Sequence, residues 1–145
     1  MSDSRQAMRR PRLLLADDHV DTAEQLHNLL QPHFDVVALV EDGQALVSAA
    51  ARLTPDVIVT DIAMPGLNGI EACALILRDD PGARVIFVTV HAEPTLVARG
   101  LAVGALGYVL KDAAGDDLVP AIRAVLVGDC YVSRGIYPPG GARPG

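Results

Sequence analysis

Five residues in this 145-residue sequence are of types that can do chemistry together: the adjacent carboxylates Asp17 and Asp18, the carboxylate Asp61, the hydroxyl of Thr89 and the ammonium of Lys111. Of twelve basic residues eleven are Arg, and Lys111 is the single Lys, a compact point charge in a sequence that otherwise uses planar guanidinium. Three carboxylates brought within about 5 Å would repel by roughly 3 kcal/mol per pair at an effective dielectric near 20, so a pocket that gathered them would need a cation. All-oxygen ligation suits a hard ion such as Mg²⁺. Zn²⁺ is disfavoured, because no Cys or His pair has ligand spacing. With such an ion, and an ammonium facing one carboxylate, the set suits phosphoryl transfer, where positioning and charge neutralisation dominate. Asp61 could then be the nucleophile that forms an acyl phosphate, Thr89 a donor to a phosphoryl oxygen, and Lys111 the point charge.

These residues are far apart in sequence, so the elements between them must bring them together. The apolar run RLLLA (12–16) predicts a strand that Asp17 and Asp18 end, and Val20, Ala23, Leu26, Leu29 and Leu30 then recur at helical spacing up to Pro32. The alternation continues with a strand at 34–40, a helix at 43–53, a strand at 56–60 ending on Asp61, and a helix at 68–79. A strand at 84–90, a helix near 94–103, a strand at 105–110 and a helix at 116–127, which Gly128 would end, complete the series. Five strands and five helices in alternation, with the strands apolar on both faces, indicate an α/β fold: a parallel sheet covered on both sides. In such sheets ligands bind beyond the carboxyl ends of the strands.

On this reading Asp17 and Asp18 end the first strand, Asp61 the third, Thr89 the fourth and Lys111 the fifth, all on one rim. The second strand, ending on apolar Val40, contributes nothing comparable, as expected of an edge. Each residue also has a plainer explanation. Asp17 and Asp18 could cap the first helix, Asp61 could be a turn residue and Thr89 an ordinary β-former. Five polar residues falling on strand ends together is harder to ascribe to accident.

Composition narrows the classes. Half the residues are hydrophobic but only 3% aromatic, with no Trp, so the core is built from Leu, Val, Ile and Ala. The first twelve residues carry +3 and the remainder −9 of the net −6, and an acidic body does not grip nucleic acid by itself. Two cysteines are too few for a disulfide framework, the Arg-rich start lacks the apolar core of a signal peptide, and no run approaches the roughly 18 apolar residues of a membrane span. A cytoplasmic protein is expected. Residues 1–10 are expected to be disordered. The Gly- and Pro-rich segment 129–145 reads as linker or disorder.

The motifs also carry a resemblance, spanning roughly residues 11–128. DIAMPGLNG (Asp61 to Gly69), the Asp17-Asp18 pair after an apolar strand, Thr89 after RVIFV, and GYVLKDA (Gly107 to Ala113) together resemble bacterial response-regulator receiver domains. GYVLKDA and the later GDCYVS are similar to the NarL/FixJ (LuxR-type) subfamily. The resemblance implies a flavodoxin-like, doubly wound five-stranded parallel sheet of order 2-1-3-4-5 with five helices. It implies a phosphoacceptor at Asp61, with Mg²⁺ held by Asp18, Asp61 and the backbone carbonyl of Ala63, and Asp17 acting through water. Thr89 and Tyr108 would be a switch pair, the ring of Tyr108 following Thr89 inward. Many members have Pro after the lysine in a cis bond, whereas Asp112 stands here and a trans bond is expected.

Pro65 would keep Met64 out of helical conformation, Gly66 would relax the turn and Asn68 would cap the next helix, leaving the Ala63 carbonyl free. His91 and Ala63 occupy positions that vary in the family. His91, His19, His27 and His33 read as solvated residues, Cys73 as core, and Cys130 carries no assigned role. The fourth helix, with Gly100 inside it, is the expected mobile element, and the surface of that helix, the fifth strand and the fifth helix would carry the message.

A sensor histidine kinase is the implied partner, with a homodimer through that same surface. No catalysis is expected beyond the chain's own phosphorylation and dephosphorylation. Regulators of this type carry a helix-turn-helix DNA-binding domain after the receiver, so the segment is expected to be the regulatory half of a transcription regulator. The alternatives are a stand-alone receiver or a docking module that works without phosphate. A dinucleotide module would want G-x-G-x-x-G where ADDHVD stands, and an aspartyl phosphatase a D-x-D on the first strand.

Overall fold

A computed structural model of the chain describes residues 9–134 and 136. Strand and helix alternate as β1 (Arg12–Ala16), α1 (Val20–Leu30), β2 (Asp35–Val40), α2 (Gly43–Leu53), β3 (Val57–Thr60), α3 (Gly69–Asp79), β4 (Val85–Thr89), α4 (Pro94–Ala102) and β5 (Gly107–Leu110). A 3-10 turn (Lys111–Ala113), α5 (Ala114–Leu126) and a short β6 (Tyr131–Val132) complete the chain. The sheet is parallel throughout, in the order β2-β1-β3-β4-β5-β6.

The two-sided apolarity of the strands finds its reason in two separate cores. Leu14, Ile58 and Phe87 point to the face covered by α2, α3 and α4, where they meet Leu46, Cys73 and Val97. Leu13, Leu15, Val59 and Val88 point to the other, where Leu26 of α1 and Leu118 and Ile122 of α5 lie. β3 and β4 are buried at every position, whereas β2 is partly exposed throughout, as an edge strand should be. Each fully buried Leu, Ile or Val contributes roughly 1.5–3 kcal/mol relative to leaving it in water.

The expectation of five strands is corrected to six, and the linker reading of 129–145 does not hold for Asp129–Arg134 and Ile136. The outer edge of β5 has backbone groups that need partners, and Tyr131 N–H donates to the Leu106 carbonyl and Ser133 N–H to that of Tyr108, each at 2.9 Å. Tyr131 packs on the α1/α5 face, while Val132 and the buried Ile136 join the α4 side, so these residues cross the sheet edge. Residue 135 and residues 137–145 lie outside the described residues, as do residues 1–8 of the expected disordered start. Arg10 is tied down, its guanidinium donating to the carbonyls of Gln31 and, at 2.6 Å, Phe34.

Candidate functional site

Asp17 and Asp61 are placed by neighbouring strands. Asp17 N–H donates to the Val40 carbonyl at 3.0 Å and Asp61 N–H to the Ala16 carbonyl at 2.9 Å, so the backbone of both is fixed by the sheet just past its last ladder residues. The helix-capping explanation of Asp17 and Asp18 fails, because His19 is the N-cap residue of α1 and no side chain caps that helix. Asp17 Oδ1 instead accepts from the His19 N–H at 2.9 Å.

The loop after Asp61 is folded tightly back. Gly69 N–H donates to the Ile62 carbonyl at 2.8 Å, and α3 begins so close to Asp61 that a Cβ on Gly69 would lie 2.1 Å from the Asp61 carbonyl oxygen. Gly66 takes φ +71°, a left-handed conformation in which glycine has no Cβ to clash. Asn68 caps α3 as expected, with Glu71 completing a capping box: each side chain accepts from the other residue's N–H. Ala63 is exposed on this loop, and among the described residues no hydrogen bond ends on its carbonyl.

Lys111 reaches across from the end of β5. Its Nζ donates to Asp61 Oδ2 at 2.9 Å and lies 3.0 Å from Asp17 Oδ2. Burial alone would lower the pKa of this ammonium, but its contacts and charge interactions with Asp61 and Asp17 outweigh that and hold it above the ordinary lysine value. The other oxygen of Asp61, Oδ1, accepts from the Ile62 N–H at 2.7 Å. Asp17 and Asp61 are almost wholly buried and Asp18 only partly so.

One ammonium does not satisfy three carboxylates. Asp17 Oδ2, although close to Nζ, lies outside hydrogen-bond direction, and both it and Asp18 Oδ1 are buried acceptors without a hydrogen bond. Asp17, Asp18, Asp61 and His19 each offer one ligand atom, and these lie within 4.8 Å of one another. The carboxylates therefore fit a divalent cation, and orphaned buried acceptors are what such an ion would satisfy. His19 is solvated, as read from the sequence, but its ring also lies beside the acidic pair. Its ring is two-thirds exposed, yet Nδ1 sits 3.1 Å from Asp18 Oδ1 and 3.4 Å from Asp17 Oδ1. Its position next to the acidic pair was the available signal, but the ring's direction was not readable.

Thr89 is fully buried at the end of β4, and its Oγ1 accepts from the His91 N–H at 3.3 Å; it makes no hydrogen bond to the carboxylates. Tyr108 on β5 is also fully buried, its ring edge-on to Phe87 and its hydroxyl donating to the His91 carbonyl at 2.8 Å. Gly100 of α4 makes room for both rings, since a Cβ there would stand 3.0 Å from Phe87 and 3.4 Å from Tyr108. Desolvation, with the negative charges of Glu93 and Asp61, pushes the Tyr108 phenol up to about 12. The backbone of His91 thus joins Thr89 to Tyr108, which its solvated-loop reading did not foresee. Its ring does stay at the surface, with Nδ1 3.4 Å from Glu93 Oε1. The Lys111–Asp112 bond is trans.

Comparison with known proteins identifies the family and the fold. Residues 13–123 match the family model of the response regulator receiver domain. Among curated relatives, the transcriptional regulatory protein DegU of Brevibacillus brevis is 35% identical over 83% of this chain and 52% of its own length. The response regulator GacA of Pseudomonas viridiflava is 36% identical over 84% of this chain and 58% of its own. The chain therefore spans little more than half of these relatives. Among solved structures, a LuxR-family two-component response regulator from an Aurantimonas species superposes with TM-score 0.84 and 34% identity, covering 88% of this chain and 92% of that one. The isolated receiver (REC) domain of RcsB from Salmonella enterica, solved with the phosphomimetic beryllofluoride, gives TM-score 0.80 at 28% identity, covering 88% and 96%.

Proposed function

Because the chain belongs to the response regulator receiver domain family, we propose that Asp61 is its phosphoacceptor and that Asp17, Asp18, Thr89 and Lys111 serve that one reaction. The observation that carries this reading is the placement of Asp61, with one oxygen on the Ile62 N–H, the other on Lys111 Nζ, and two further carboxylates beside it.

A carboxylate oxygen of Asp61 attacks the phosphorus of a phosphohistidine on a sensor kinase. A new P–O bond forms, the P–N bond breaks, and the electron pair stays with the imidazole, which takes up a proton. Mg²⁺, held by Asp18, Asp61 and the Ala63 carbonyl with Asp17 acting through water, would neutralise the oxygens of the transferring group. Lys111 orients the nucleophile and leaves room, as a point charge, for a phosphoryl oxygen. Thr89 releases the His91 N–H to hydrogen-bond the new group, and Tyr108, tied to the same residue, reports that movement to α4. The phosphoryl group replaces a charge of −1 by about −2 and adds acceptor oxygens, which biases one of two packings of α4, β5 and α5.

We read the cytoplasm as its compartment; no described helix is long and apolar enough to cross a membrane. The names of the relatives support a regulatory half of a transcription regulator; we propose further that an effector domain contacts DNA and that a homodimer forms through α4, β5 and α5. No enzymatic activity beyond its own phosphorylation and dephosphorylation is proposed. Incubation with acetyl phosphate and Mg²⁺, followed by intact mass, tests the central claim: the parent gains one phosphoryl group and Asp61→Asn gains none. Equal gain in both removes Asp61 from its role.

A further inference from the structure

The residues after α5 take hold of the strand that carries both Tyr108 and Lys111. Ser133 is almost wholly buried and uses its N–H and both hydrogen-bonding roles of its hydroxyl there. Its N–H donates to the Tyr108 carbonyl at 2.9 Å, its Oγ accepts from the Leu110 N–H at 3.2 Å, and its hydroxyl donates to Asp117 Oδ2 at 2.8 Å. Tyr131 OH donates to the other Asp117 oxygen at 3.0 Å, so α5 grips this stretch through both carboxylate oxygens. The two β5 groups that end on Ser133 flank Val109, and the second belongs to the residue directly before Lys111.

Side chains follow the same plan. Val132 is the register partner of Tyr108, and paired residues of adjacent strands share a face of the sheet. Val132 packs against the apolar cluster that contains the Tyr108 ring, Val97 of α4 and Ile136. Val132 therefore flanks Tyr108 on the same face of the sheet, on the β6 side. Tyr108 is in turn joined through His91 to Thr89.

Resting on the reading of Thr89 and Tyr108 as the responding pair, we propose that Ser133 is a positioning residue for the phosphoryl site. It fixes the strand end that presents Lys111 and helps hold Tyr108 inward, so that seating of Tyr131, Val132 and Ser133 and occupation of Asp61 by a phosphoryl group favour each other. Linkage makes such an effect reciprocal: what loosens this stretch weakens the hold on the phosphoryl group, and the phosphoryl group tightens the stretch.

The test uses the full chain with Tyr131→Phe plus Ser133→Ala, which removes both donors to Asp117 and leaves the acidic rim and α5 unaltered. Calorimetry measures Mg²⁺ alone, then beryllofluoride at saturating Mg²⁺. The expected result is Mg²⁺ affinity within about twofold of the parent and beryllofluoride affinity lower by at least about fivefold, the small end of ordinary coupling between sites. In the parent, amide hydrogen exchange at Tyr131, Val132 and Ser133 slows when beryllofluoride is added. If the double variant does not fold, Ser133→Ala alone, which keeps Tyr131 on Asp117, decides by the same two measurements. Unchanged beryllofluoride affinity, unchanged exchange in this stretch, or an equal fall in affinity for Mg²⁺ and beryllofluoride each overturns the positioning role while the phosphoacceptor reading stands. A parent that binds no beryllofluoride and takes no phosphoryl group from acetyl phosphate overturns both.

Discussion

Carboxylates are drawn out of water in two regions of this molecule, and their satisfaction differs sharply. At the β5 edge Asp117 meets two donors with its two oxygens, Tyr131 OH and the Ser133 hydroxyl. At the rim, Asp17, Asp18 and Asp61 share the Lys111 ammonium and a few backbone N–H groups, and Asp17 Oδ2 and Asp18 Oδ1 are left without a hydrogen bond. The first arrangement is a fastener, complete in itself. The second leaves acceptors unsatisfied, at a cost in stability, and the cation and phosphoryl group proposed above would use that capacity. Local rules of polar satisfaction fail where a site must bind something, and the contrast tells which acidic cluster is which.

If the contrast is right, deleting a partner from the rim should hurt most. Lys111→Ala leaves the rim carboxylates without their ammonium, and stability in metal-free buffer should fall by about 3 kcal/mol in urea titrations, with added Mg²⁺ recovering much of the loss. Asp117→Ala strands two hydroxyls, one of them buried, and should cost about 2 kcal/mol, with no recovery from Mg²⁺. A rescue by Mg²⁺ there would erase the distinction. Asp18→Asn should act in the opposite direction, raising metal-free stability by about 1 kcal/mol as repulsion is relieved, an advantage that vanishes when Mg²⁺ binds the parent.

The smallest effect calibrates burial alone. Cys73, in the apolar core between α3 and the sheet, has its thiol pushed from 9.0 to about 12 by desolvation. The folded state therefore holds this proton longer than the unfolded chain does. Its contribution is complete below pH 9.0 and declines from there until about 12. From pH 8 to 9.5 the parent should lose about 0.7 kcal/mol that Cys73→Ala does not lose, at 1.36 kcal/mol per pH unit once the unfolded thiol ionises. Equal losses in the two proteins would mean that another group dominates this range.

The alternation of strand and helix was legible because apolar runs bounded by Asp, Pro and Gly carry their own periodicity. Strand and helix ends differ from expectation by about two residues at most, as at α5, which starts at Ala114 because the turn over Lys111–Ala113 runs straight into it. Asp17, Asp18, Asp61 and Lys111 were legible through one topological rule, that strand ends share a rim. β6 was not. Two residues cannot display a period, and the bonds from Tyr131 and Ser133 to Asp117 join residues 14 and 16 positions apart. Nor could the sequence reveal that His91 would act through its backbone while its ring stays at the surface.

The short sixth strand also bears on how molecules of this kind avoid sticking to one another. A free parallel edge is a template on which another chain can grow, and growth at both edges of a sheet builds fibres. By laying only two residues along β5, the chain makes the outer edge on that side very short, a poorer template for a stranger's strand than the six-residue, partly exposed β2 at the opposite margin.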